Sequence, residues 1–171
     1  MLLALGLPPA QAQAPVAPEP QVKAAYLVNF PGFVEWPPEA FRDAASALVI
    51  GWVGAEPVVQ ELQALVAARR VLGRPVELRP VTQPAQLAEL HLLFVGAQSR
   101  RDGTELIAAC RTLPVLVVTE AAWGLAAGAM LNFVSRDGTI RFEASRTNAE
   151  RAGLKLSARL LRIAERVVDT P

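Results

Sequence analysis

The chain has little of what reactive centres are built from: one Cys, Cys110, one His, His91, and two Lys in 171 residues. A lone Cys forms no disulfide within its own chain. A Cys/His metal centre is excluded as well, because such centres draw on several ligands. Neither G-x-G-x-x-G nor G-x-x-x-x-G-K-[ST] occurs, so a dinucleotide or phosphate loop has no support. No G-x-S-x-G elbow is present either. A Ser–His–acid triad would have to use His91, and His91 opens an apolar strand-like run, where a packed or hydrogen-bonded histidine is the expectation. Charge of one sign is also lacking. The 17 basic and 16 acidic residues leave a net charge of +1, and the signs are interspersed. Nucleic-acid binders concentrate basic residues on one face, so the doublets Arg69-Arg70 and Arg100-Arg101 read as solvated surface. No apolar run approaches the roughly 20 residues of a membrane-spanning helix.

What is there suits one globular domain with a modest core: 52% apolar and 19% charged residues. The first segment, MLLALGLPPAQAQAPVAPEP, has a short apolar run and then small residues at alternating positions. Ala10-Gln11-Ala12 and Ala12-Gln13-Ala14 both have the form read by signal peptidase, although the usual basic opening is absent. Residues 1–14 are therefore read as a signal peptide. Residues 15–21 are read as a Pro-rich linker, and residues 22–168 as a single domain. Export to the periplasm is the expectation.

Along that domain, Val22, Ala25, Tyr26, Asn29, Phe30 and Phe33 recur at helical spacing. Pro31 should end or bend that helix near Phe30. Residues 47–53 (ALVIGWV), 72–81, 91–95 (HLLFV) and 114–118 (PVLVV) read as strands, most of them buried on both faces. Helical segments alternate with them at 57–69, 83–90 and 102–112. This alternation predicts an α/β fold: a mostly parallel sheet of four strands with helices on both faces. Arg136-Asp137-Gly138 between two alternating runs predicts an antiparallel hairpin. Thr147 and Glu150 fit a capping box, opening a long helix to about Val168 whose buried stripe is Leu156, Leu160, Ile163, Ala164 and Val167. Cys110 falls on an apolar helical stretch and is expected to be buried and inert. A doubly wound sheet offers a crevice where strand order reverses. The loops 54–56 and 96–101 would form it, with Ser99, Arg100 and Arg101 at a helix start as a weak anion site.

Several segments, in order, resemble the YfiR-like domain family. Lys23-Ala24-Ala25-Tyr26-Leu27-Val28-Asn29-Phe30, continuing to Glu35-Trp36-Pro37, is similar to the family's "KAAYLYNFAKFVEWP". Gly73-Arg74-Pro75-Val76, His91-Leu92-Leu93-Phe94-Val95 and Val117-Val118-Thr119-Glu120 are shorter matches. Residues 128–157, with Ile140-Arg141-Phe142-Glu143 and Ala152-Gly153-Leu154-Lys155-Leu156-Ser157, resemble "GGMI-x-F…IRFEIN…AGLKISSKLL". The resemblance implies a periplasmic protein that binds and restrains a membrane-bound diguanylate cyclase, lowering cyclic di-GMP signalling and with it controlling biofilm formation. An OmpA-like outer-membrane lipoprotein is implied as a competing partner. It implies no enzyme activity, cofactor, metal or nucleic-acid partner; a homodimer is a further partner state. The family often carries paired cysteines, whereas here Leu90 precedes His91, so an internal disulfide switch is impossible. Candidate contact residues are Glu35, Trp36, Arg141, Glu143 and Asn148. Each also has a structural reading: Asn148 at the helix start, and Arg141 with Glu143 across the hairpin. The alternative function is a periplasmic small-ligand sensor using the switch-point crevice.

Overall fold

The computed structural model describes residues 17–169; the expected signal segment, residues 1–14, lies outside the described residues. Helix α1 (Glu19–Asn29) begins within the stretch read as linker, with Pro20 in its first turn, where a missing N–H costs nothing. Pro31 ends it as expected, and the chain tightens into a 3₁₀ turn over Phe30–Phe33. The order then runs β1 (Val34–Glu35), β2 (Leu48–Val53), α2 (Glu56–Val66), β3 (Val76–Pro80), a 3₁₀ turn (Pro84–Glu89) and β4 (Leu92–Val95). It continues with α3 (Arg100–Ala109), β5 (Leu116–Thr119), α4 (Gly124–Ala127), β6 (Leu131–Arg136), β7 (Thr139–Ser145), α5 (Arg146–Arg151), β8 (Lys155–Leu156), α6 (Ala158–Ile163) and β9 (Arg166–Val168).

Among the described residues the main sheet has seven strands, in the order β3-β2-β4-β5-β6-β7-β9. The first five are mutually parallel, so the parallel part exceeds the expected four strands: β6, read only as half of a hairpin, also pairs parallel with β5. The β6–β7 hairpin is as predicted. Asp137 (φ 49°) and Gly138 (φ 73°) form its turn, the double positive φ that a tight two-residue hairpin requires.

Strand alternation divides the core. Leu48, Ile50, Leu92, Phe94, Leu116, Val118 and Phe133 face α1, α2 and α6. Val49, Leu93, Val95 and Val117 face α3 and the Pro84–Glu89 turn. The helices therefore cover both faces. Aromatic contacts fix α1 to the hairpin. Phe30 lies 5.1 Å from Phe142 and 5.8 Å from Phe133, centroid to centroid, and such pairs add about 0.5–1.5 kcal/mol to burial.

The expected long C-terminal helix is broken into four pieces. Ser145, not Thr147, is the N-cap, accepting a hydrogen bond from the Asn148 N–H at 3.3 Å; Thr147 lies inside α5. Gly153 at φ 74° stops α5. Leu156 and Lys155 then pair antiparallel with Val34 and Glu35. Ser157 caps α6 through the Leu160 N–H, and β9 closes the sheet parallel to β7. Of the expected stripe, Leu156 and Leu160 are buried, but Ile163 is 54% and Val167 38% exposed. Strand pairing at both ends outweighs helix propensity worth only tenths of a kcal/mol per residue.

Candidate functional site

Strand β3 lies on one side of β2 and β4 on the other, so the connections leave β2 and β4 in opposite directions, and a crevice opens at their carboxyl ends. Gly54 and Ala55 from the β2–α2 loop, Glu56 at the start of α2, and Ala97 and Gln98 from the β4–α3 loop form its rim, and α1 and Glu120 form its wall. Its volume is about 550 Å³. The two loops touch: a Cβ on Gly96 would lie 1.7 Å from the Gly54 carbonyl oxygen. Glycine at 96 is thus a steric requirement of the closed loops.

Lys23 projects from α1 into this crevice and is only 7% exposed. Its Nζ donates to Glu120 Oε2 at 2.6 Å and also to Glu19. Glu120 Oε1 in turn accepts from the Ala97 N–H at 3.3 Å. Burial opposes the ammonium's charge, but the Glu120 and Glu19 carboxylates outweigh it and hold the Lys23 pKa above its ordinary value. Lys23 is therefore a fixed cation tying α1 to the ends of β4 and β5, and not a base. No sequence signal joined Lys23 to Glu120, 97 residues away; the only local clue was a lysine among the apolar residues of an amphipathic helix.

His91 makes a second centre at the opposite, amino-terminal end of the sheet. Its Nδ1 accepts from the Val49 N–H at 3.0 Å, and its Nε2 lies 2.9 Å from the Ala40 carbonyl. Nε2 is thus the donor, and the ring is neutral. Burial, with the nearby Arg74 charge, holds its pKa below the ordinary 6.5 despite the Ala40 bond. The expectation of a hydrogen-bonded strand-end histidine agrees with this geometry.

The expected contact residues divide into two kinds. Glu35 is exposed and meets Lys155 at 3.2 Å across the β1–β8 pair. Arg141 is exposed opposite Val134. Trp36 is half-buried; its Nε1 donates to the Pro31 carbonyl at 3.2 Å. Glu143 is buried, faces Asn132 across the hairpin, and pairs at 2.9 Å with Arg166 of β9 rather than with Arg141, which shares its strand. Asn148 Nδ2 donates to the carbonyls of Leu125 and Ala129 at 3.1 and 2.8 Å, holding α5 to α4. Ser99 packs its Oγ where a Gly54 Cβ would be. Arg100 and Arg101 are exposed at the start of α3 and stand apart from the crevice lining. Cys110 is buried among the α3-side core, and burial pushes its thiol up to about 12. Among the described residues no cluster of three His, Cys, Asp or Glu side chains could hold a metal ion. No helix there is long and apolar enough to cross a membrane.

The family model described as YfiR/HmsC-like, DUF4154, matches residues 20–165. The chain belongs to the YfiR/HmsC-like family. The match spans α1 through α6, so it takes in both the Lys23 crevice and the His91 centre. No curated protein gives a significant match. A crystal structure of a conserved domain protein from Vibrio cholerae O1 biovar eltor str. N16961 is 11% identical, with a TM-score of 0.57. That likeness covers 88% of this YfiR/HmsC-like chain and 60% of the Vibrio chain, and it shows a shared fold.

Proposed function

We propose that this YfiR/HmsC-like protein is a periplasmic regulator, not an enzyme, that binds the periplasmic domain of a membrane-bound diguanylate cyclase and restrains it. The observation that carries the reading is the family match over residues 20–165, essentially the whole described domain. The docking surface is assigned to the Glu35–Trp36 corner and the β6–β7 hairpin, where Glu35 and Arg141 are exposed. An OmpA-like lipoprotein would compete for the regulator, and self-association would tune it. With Cys110 alone and buried, regulation here works without an internal disulfide. The test is cyclic di-GMP content in cells carrying the candidate membrane-bound cyclase. Expression of this chain lowers it, and an unchanged level with the folded chain exported overturns the reading.

A second reading, a small-ligand sensor, is favoured by the switch-point crevice, whose volume of about 550 Å³ falls in the roughly 300–1,000 Å³ range of small-molecule sites. A ligand-dependent rise in melting temperature would support it.

A further inference from the structure

We propose that His91 is an acid-sensitive pin: while neutral it bridges β2 to the segment 36–46, and protonation breaks the β2 side of that bridge and loosens the segment and the corner that carries Glu35 and Trp36. The assignment of that corner to partner binding rests on the function proposed above; the pin itself does not.

The geometry makes the ring a switch because its two nitrogens play opposite roles. Nδ1 accepts from Val49 N–H at 3.0 Å, in β2, and Nε2 donates to Ala40 O at 2.9 Å, in the pinned segment. Protonation leaves the Ala40 bond in place but puts a hydrogen on Nδ1. Two N–H groups then face each other, and the Val49 bond is lost. The second consequence is electrostatic. The ring stacks on Phe41 with centroids 4.3 Å apart and planes 14° apart, and the Arg74 guanidinium lies 4.0 Å from the same Phe41 centroid. A protonated His91 would place a second cation in this stack.

Arg74 is itself part of the pin, since its Nη1 donates to the carbonyls of Asp43 and Ser46 at 2.6 and 2.9 Å. The other charged groups facing the ring from neighbouring elements do not compensate. Glu39 and Arg42 come from the pinned segment, Glu77 and Arg79 from β3, and Glu89 from the turn before β4. Arg79 engages both Glu77 and Glu89, and among the described residues no carboxylate bonds to either His91 nitrogen. A cleft of about 570 Å³ between the segment and β3 gives it room to move. Trp36 packs edge-on to His91 and Phe41, centroids 6.1 and 5.7 Å away, so loosening the stack alters the Trp36 surface directly. The depressed His91 pKa places the transition in mild acid, below pH 6.5.

The test is amide hydrogen exchange with ¹⁵N spectroscopy on the full chain, from about pH 7.5 to about pH 4.5. At the upper pH the His91 ¹⁵N shifts should report a proton on Nε2 alone. On acidification, protection at Val49 and at residues 40–46 should fall at least about tenfold with the midpoint of the His91 titration, while α3 amides keep theirs. His91→Gln supplies an oxygen acceptor and an N–H donor without titrating, and should abolish the transition. Protection that stays flat through the His91 titration overturns the pin, as does an identical acid loosening in His91→Gln. If His91→Gln fails to fold, the wild-type comparison of midpoints decides alone. Binding of the cyclase domain at the two pH values separates the readings. A loosening segment with no binding at either pH sinks the cyclase reading and leaves the pin. Binding with a rigid segment does the reverse.

Discussion

Replacing Lys23 by Met keeps the length and apolar stem of the side chain and removes only the ammonium. Two carboxylates are affected unequally. The Glu19 side chain is 55% exposed and that of Glu120 16%. Losing an exposed pair costs about 0–1 kcal/mol. Leaving one partner of a buried pair uncompensated costs about 3–5 kcal/mol. Glu120 keeps some water and the Ala97 N–H, so the total should fall near the lower end, about 3 kcal/mol. Urea unfolding followed by circular dichroism measures it. Adding Glu120→Gln removes the stranded charge, and the double variant should recover about half of the loss. The pH dependence carries a definite sign. The folded pKa of Lys23 lies above its ordinary 10.5, so the stabilisation is fully present below 10.5 and is lost as pH rises through the folded value. The gap between wild type and Lys23→Met should be constant from neutral pH to about 10 and close above it. A loss under about 1 kcal/mol, strict additivity with Glu120→Gln, or a gap that closes near neutral pH would refute the reasoning.

Asn148→Ala strands the Ala129 carbonyl, while the Leu125 carbonyl keeps its bond from the Gly128 N–H, and it should cost about 1 kcal/mol in the same urea assay. Gly96→Ala drives a Cβ into the Gly54 carbonyl; it should destabilise by more than about 3 kcal/mol and perturb crevice amides before those of β7. Cys110, with its thiol pushed up to about 12, should react with a disulfide reagent at neutral pH only after denaturant is added, and labelling of the native chain at a free-thiol rate contradicts its burial. His91, whose folded pKa lies below 6.5, contributes stability that is complete above pH 6.5 and declines as pH falls below it toward the folded value. Thermal midpoints of wild type and His91→Gln should therefore converge in acid.

The elements that sequence reading located were those whose signals are local. Pro31 ended α1, Asp137-Gly138 made the hairpin turn, and apolar runs marked β2, β4 and β5. The C-terminal helix failed because its evidence was a capping box, set two residues beyond the true N-cap Ser145, and periodicity that carried no stop. Leu156 and Leu160 do face the core, but one as part of a strand paired with Val34 and the other in a short helix. Gly153 was the overlooked stop signal. The site was less legible. Trp36 and Glu35 stood out by type, yet the tie of Trp36 to Pro31 and the Lys155 partner of Glu35 depend on residues that only folding brings together. The same holds for Lys23 with Glu120 and for His91 with Ala40 and Val49, contacts that no spacing rule encodes.

The central claim is a physical complex. Titrating the purified full chain into the purified periplasmic domain of a membrane-bound diguanylate cyclase from the same cell, by calorimetry at neutral pH, tests it most directly. Saturable binding with defined stoichiometry, weakened by charge reversal at Glu35 or Arg141 and unchanged by reversal at Arg101, is the predicted result. No heat and no co-elution at concentrations of about 100 μM, where even a weak complex with Kd near 10 μM would saturate, would contradict it.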